Sequence, residues 1–134
     1  HLDAVCRVAT DFPALQVVID HAAKPDLSAP VDPAWHRGLA AAARLDNVSV
    51  KLSGLLTEAP PGADATALQP HVDVLLDCFG PRRMIWGSDW PVLDLASDYG
   101  SWDRMTTQLL AGLGGADIAA ILGDNAARVY GLEP

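Results

Sequence analysis

What most constrains this chain is that two hydrophobic periods alternate along its whole length, with no hairpin signal between the strand patterns. Leu2, Val5, Cys6, Ala9 and Phe12 recur at helical spacing, and Pro13 closes that helix. Residues 16 to 21 form a short apolar run ending in Asp20-His21, with Lys24-Pro25 as the breaker. Asp32 and Pro33 make an N-cap and first-turn pair for a helix through Leu45. Val48 to Leu52 is β-branched and alternating, which predicts a strand ending near Ser53-Gly54. Leu68, Val72, Leu75, Leu76 and Phe79 form a helical face stopped by Gly80-Pro81, and a third strand is predicted over 84 to 89. The remainder reads as helix, with Trp102, Met105 and Leu109 on one stretch and Ile118, Ile121, Leu122 and Val129 on another. Strands separated by helices rather than tight turns can pair only in parallel. The pattern therefore predicts an α/β fold of three βα units, and no linker rich in Gly or Ser divides residues 1–134.

Composition narrows the function classes. A net charge of −8 argues against nucleic acid and anionic membranes as partners, because basic patches supply most of that affinity. The apolar runs are far shorter than the roughly 20 residues a membrane span needs, so the expectation is a cytoplasmic protein without a membrane partner. Cys6 and Cys78 lie in separate helical patterns without C-x-x-C spacing and read as inert buried thiols.

Two strand ends carry chemistry-bearing residues: Asp20-His21, and Asp89 within Trp86-Gly87-Ser88-Asp89-Trp90-Pro91. A carboxylate and an imidazole where buried parallel strands stop are placed as α/β enzymes place their active sites. Strand alternation puts Asp89, Gly87 and Ile85 on one face, with Ser88 and Trp86 facing helices. The same period groups Ser49, Lys51 and Ser53 opposite Val48, Val50 and Leu52.

The strings at 18 to 25 (Val-Ile-Asp-His-Ala-Ala-Lys-Pro), 50 to 55 (Val-Lys-Leu-Ser-Gly-Leu), 86 to 91 and 123 to 132 (Gly-Asp-Asn-Ala-Ala-Arg-Val-Tyr-Gly-Leu) resemble, in order and spacing, the amidohydrolase-related family. The combination of Lys-Leu-Ser-Gly with Gly-Ser-Asp-Trp-Pro most resembles its sugar-lactonase branch, which includes L-fuconolactonase-like, L-rhamnono-lactonase-like and pyrone-dicarboxylate lactonase-like enzymes. The resemblance implies a (β/α)8 TIM barrel of about 250 residues, of which this chain would be the C-terminal portion, with the N-terminal strands missing. The family's first strand carries a His-x-His pair, and no His-x-His occurs in this sequence.

The implied chemistry is hydrolysis of a sugar-derived or related lactone, with a small lactone or carboxylic acid as substrate and the remainder of the barrel as partner. Asp89 matches the family's last-strand aspartate and His21 the histidine ending the sixth strand. Opening a lactone needs a base for water and a donor or cation for the developing oxyanion. Asp89 suits the first role; His21 suits the second, either as a hydrogen-bond donor or, with Asp89, as a ligand to a divalent ion, zinc foremost. The metal-independent route stays open beside the metal-dependent one.

Neighbouring residues have paired readings. Lys51 would hold a carboxylate or carbonyl oxygen, or form an ion pair with a strand neighbour. Lys24 would contact an anionic substrate or remain a solvated loop charge. Trp90 would stack on a sugar or pyrone ring or pack against the next loop. Trp35 and Trp102 read as core, His36 and His71 as surface, and Asn125 and Arg128 as cap and salt-bridge residues of a closing helix. Two alternatives to the lactonase remain: a metal-dependent decarboxylase, which needs a second histidine on a neighbouring strand, and a catalytically incomplete, non-enzymatic fragment.

Overall fold

The structure, a computed structural model, describes residues 1–132. Its elements follow in the order α1 (Leu2–Asp11), β1 (Val17–Ile19), α2 (Pro33–Ala43), β2 (Val48–Leu52), α3 (Ala65–Phe79), β3 (Met84–Trp86), α4 (Tyr99–Leu109), α5 (Gly115–Ala119) and α6 (Asn125–Tyr130). The three strands form one parallel sheet in the order β1-β2-β3, as the absence of hairpin signals required. The register sets Ile19 beside Val50 and Val50 beside Met84, while Lys51 lies beside Ile85.

Local chemistry explains where the helices start. Asp32 accepts from the Ala34 N–H with Pro33 in the first turn, and Asp64 and Asp98 cap α3 and α4 through Ala67 and Ser101. Their side chains satisfy donors the helix cannot. α1 packs on α2, α2 on α3 and α3 on α4, forming a layer against the sheet. Val48, Val50, Leu52 and Met84 are fully buried beneath it, each apolar side chain contributing about 1.5–3 kcal/mol. Ser49 and Lys51 fall on the other face of β2 by strand alternation, with Ser49 buried and Lys51 half-buried, and Ser53 follows the strand's last residue.

Several expectations need correction. β1 ends at Ile19 and β3 at Trp86, so the predicted strands are each too long, because the backbone leaves the sheet before the polar residues. Phe12 is exposed rather than on the buried face of α1, which ends one residue earlier. Leu122 is exposed because residues 120 to 124 form a π turn, and its wider winding shifts the helical face. Cys6 and Cys78 are half-buried, not buried, although burial together with the Asp77 charge raises the Cys78 thiol. His71 is not a surface residue: it is 3% exposed, tilted against Trp35 at 5.5 Å between ring centroids, and neither ring nitrogen has a partner. Burial lowers its pKa from 6.5, with the Asp26 charge opposing.

Asn125 and Arg128 also act differently from their reading. Asn125 donates to the carbonyls of Pro81 and Met84, both at 2.7 Å, and Arg128 donates to the Arg82 carbonyl and to Asn125 Oδ1. They tie α6 to the start of β3 through backbone acceptors rather than through an ion pair.

Candidate active site

The chain leaves β1 in an unusual way. His21, Ala22, Ala23 and Lys24 all have positive φ, at 47°, 50°, 61° and 53°, with no glycine among them. Each such residue costs about 1–2 kcal/mol relative to right-handed backbone. The surrounding structure over-determines this turn: Ala22 and Ala23 are buried, Lys24 N–H donates to the His21 carbonyl at 2.7 Å, and the Trp35 indole donates to the Ala22 carbonyl at 2.8 Å. At the exit of β3, Asp89 has φ 61°, and the Trp102 indole donates to the Gly87 carbonyl at 2.9 Å. Trp35 and Trp102 are therefore core, as expected, and each also pins a strand exit from the helix that follows it. Strained backbone concentrated at two strand ends on the same, C-terminal edge of the sheet is an arrangement associated with functional sites.

These exits bring His21 and Asp89 together. His21 Nε2 lies 3.6 Å from Asp89 Oδ1 and 3.4 Å from Asp20 Oδ2, and Nδ1 is 2.9 Å from Ser53 Oγ. The Asp89 side chain is 12% exposed and that of His21 29%, so both can meet a small molecule while largely shielded from water. Gly54, at φ +64°, shapes the space under the imidazole: a Cβ there would stand 2.6 Å from His21 Nδ1. Ser53 thus fixes one ring nitrogen, Gly54 leaves room for the ring, and Nε2 is turned toward the two carboxylates.

Lys51, one strand over, pairs with Asp20 at 3.2 Å, the second of its two readings. Burial alone would lower the Lys51 pKa, but the hydrogen bond and charge of Asp20, with a smaller contribution from Tyr130, leave it raised. Lys24 pairs with Glu58 at 2.8 Å, and that hydrogen bond and charge raise its pKa too. Trp90 is 67% exposed, and its backbone N–H donates to Ser88 Oγ at 3.2 Å. A cleft of about 400 Å³ beside this cluster is lined by Val5, Val18, Ile19, Asp20, His21 and Lys24, together with His1 and Ala23.

His36 is exposed on α2 and His71 lies in the helix layer, so His21 is the histidine that follows a strand. Among the described residues no three His, Cys, Asp or Glu side chains gather in a metal-holding group. His21 Nε2 and Asp89 Oδ1 nevertheless fit as two donors to one ion, since two ligands of a tetrahedral zinc stand roughly 3.3 Å apart for bonds near 2.0 Å. The Ser53 contact to Nδ1 is the outer-shell partner that a ligating imidazole needs.

The sequence placed Asp20 at a strand end and Ser53 on the polar face of the middle strand without giving either a partner, and it gave Gly54 and Glu58 no role in the site. The strand register could have found Asp20, which follows Ile19 and so falls level with Lys51. Nothing in the sequence pattern marks Glu58, which reaches Lys24 across two loops.

The sequence profile of the amidohydrolase family matches residues 2–132. The chain belongs to the amidohydrolase family. Among similar proteins, an L-fucono-1,5-lactonase from Burkholderia ambifaria is 42% identical over 99% of this chain and 47% of its own length. A second L-fucono-1,5-lactonase, from Burkholderia multivorans, is 38% identical over 88% of this chain and 44% of its own. The crystal structure of an amidohydrolase from Burkholderia multivorans with bound zinc superposes with a TM-score of 0.91 and 35% identity, covering 98% of this chain and 49% of that one. This amidohydrolase chain thus spans about half the length of the curated relatives it matches.

Proposed function

We propose that this chain is the C-terminal portion of a single (β/α)8 barrel domain whose whole is a lactone hydrolase acting on a sugar-derived or related lactone. The observation that carries the reading is the pairing of His21 and Asp89 at the ends of β1 and β3. A parallel sheet in sequential order with its helices layered in series supports the barrel, as does the match to half of each relative. Catalytic groups at the C-terminal ends of strands are what that architecture provides. The remaining strands are then the chain's structural partner, and they must supply the rest of the substrate pocket.

In this mechanism Asp89 accepts a proton from water as its oxygen adds to the ester carbonyl carbon. Collapse of the tetrahedral intermediate breaks the ring C–O bond, and the proton returns from Asp89 to the leaving alkoxide. His21, with Nδ1 engaged by Ser53, directs Nε2 at the carbonyl oxygen as charge develops there. The exposed Trp90 indole offers a face for the sugar ring. If a divalent ion such as zinc is resident, His21 and Asp89 are the residues of this chain that would hold it, and it would supply charge stabilisation at the carbonyl oxygen. The decarboxylase alternative lacks its second strand-end histidine among the described residues.

The test is Asp89→Asn in the full-length protein. Turnover of a sugar lactone should fall by about 10²- to 10⁴-fold, because the isosteric amide keeps the volume and loses the basic oxygen. Turnover close to that of the unaltered protein would remove Asp89 from the base role.

A further inference from the structure

We infer that Glu58 sets the charge selectivity of the site: by holding Lys24, it leaves the site suited to an uncharged lactone and unsuited to one that carries a carboxylate. The inference rests on the lactonase reading and adds to it the substrate's charge and the residue that selects it. Recognition of a carboxylate is strengthened by a cation whose charge is not already balanced, and a lysine paired with a glutamate keeps spare N–H donors but offers little net charge to a second carboxylate.

The lysines of this cluster are both engaged. Lys24 Nζ is 2.8 Å from Glu58 Oε1, and Lys51 Nζ is 3.2 Å from Asp20 Oδ1. With a neutral imidazole, Asp20, Asp89 and Glu58 against Lys24 and Lys51 leave one net negative charge around His21. Arg83 and Arg128 are committed at the other end of the strands, where they donate to backbone carbonyls. An approaching carboxylate would therefore meet repulsion from this half of the site, whereas a lactone bearing only hydroxyls would find acceptors on three carboxylates.

Of the two pairs, Lys24–Glu58 is the adjustable one. Asp20 also faces His21, so altering it disturbs the reacting groups. Glu58 contacts neither His21 nor Asp89 through an ion pair; its partner is Lys24, which stands close enough to Asp89 to feel its charge. Removing the Glu58 charge frees an ammonium beside the cleft that holds His21.

The experiment compares kcat/KM of the full-length protein for a neutral aldonolactone and for the aldarolactone in which a carboxylate replaces the terminal carbon group. The unaltered protein should favour the neutral lactone, and Glu58→Gln should narrow that ratio by about two- to fivefold. The narrowing should fade at about 0.5 M salt, as expected of an exposed ammonium, and Lys24→Met added to Glu58→Gln should restore the original ratio. Because each ratio is taken within one variant, a general loss of folded protein cancels. A Glu58→Gln ratio unchanged within about twofold, or an unaltered protein that prefers the carboxylated lactone, overturns the inference while leaving the lactonase reading standing. Hydrolysis of neither lactone by the unaltered protein removes that reading, and the inference with it.

Discussion

The two ends of the sheet use polar side chains in opposite ways. At the N-terminal ends of the strands, Arg83 donates to the carbonyls of Ala43, Leu45 and Val48, Asn125 to Pro81 and Met84, and Asn47 to Ala9, Phe12 and Leu15. Side chain meets main chain, and each contact satisfies a carbonyl of a loop, a helix end or the first residue of a strand. At the C-terminal ends the side chains meet one another: His21 with Ser53, Asp20 and Asp89, Lys51 with Asp20, Lys24 with Glu58. There the backbone is strained and the polar atoms are left partly accessible. The difference teaches that one end is built to hold the elements together, and the other to keep functional groups poised at a cost in stability.

That contrast can be broken by substitutions expected to separate activity from stability. Among substitutions outside the reacting groups themselves, the largest effect should come from Gly54→Ala. Its Cβ would displace the His21 ring, and a misplacement of about 1 Å at reacting groups can cost on the order of 10²-fold in rate. The positive φ adds about 1–2 kcal/mol of destabilisation. Steady-state kinetics and denaturant unfolding of the full-length variant measure the two; activity retained within a few fold would show that His21 is not positioned by this cradle.

Asn125→Ala should do the reverse. Two carbonyls at the start of β3 lose their donor, which costs about 1–3 kcal/mol of folding free energy, while kcat of the folded fraction stays put. A fall in kcat matching the loss in stability would erase the distinction between the two ends.

The smallest effect concerns a group belonging to neither end. The folded pKa of His71 lies below its unfolded value of 6.5, so its neutral form is favoured in the native state. The corresponding stability is fully present above pH 6.5 and is lost as pH falls toward the folded pKa. Thermal midpoints measured between about pH 8 and pH 5 should drop more for the unaltered protein than for His71→Phe. Equal slopes would mean that the buried ring titrates as it does in the unfolded chain.

Much of the fold was legible in the residues because it depends on periods. The alternation over Val48 to Leu52 determined which face of β2 meets the helices, and the helical spacing of Leu68, Val72, Leu75 and Phe79 located α3. Asp32-Pro33 marked the start of α2 because capping is a local event. The site was legible only in part: His21 and Asp89 were visible as polar residues closing apolar runs, and they stand within 3.6 Å of each other.

What only the tertiary structure decided are relations between segments that no local rule connects. That Lys24 is held by Glu58, that Gly54 makes room for His21, and that Trp35 and Trp102 pin the strand exits depend on loops meeting in space. The left-handed run from His21 to Lys24 contains no glycine to announce it, since contacts from neighbouring elements, rather than intrinsic preference, hold it there. His71 was misread for the same reason: a polar residue among helical positions looks solvated until the packing of α3 against Trp35 encloses it. Sequence by itself determined the elements and their apolar faces, because propensity and periodicity act over a few residues; the structure decided which polar atoms meet, because that is set by the register and docking of whole elements.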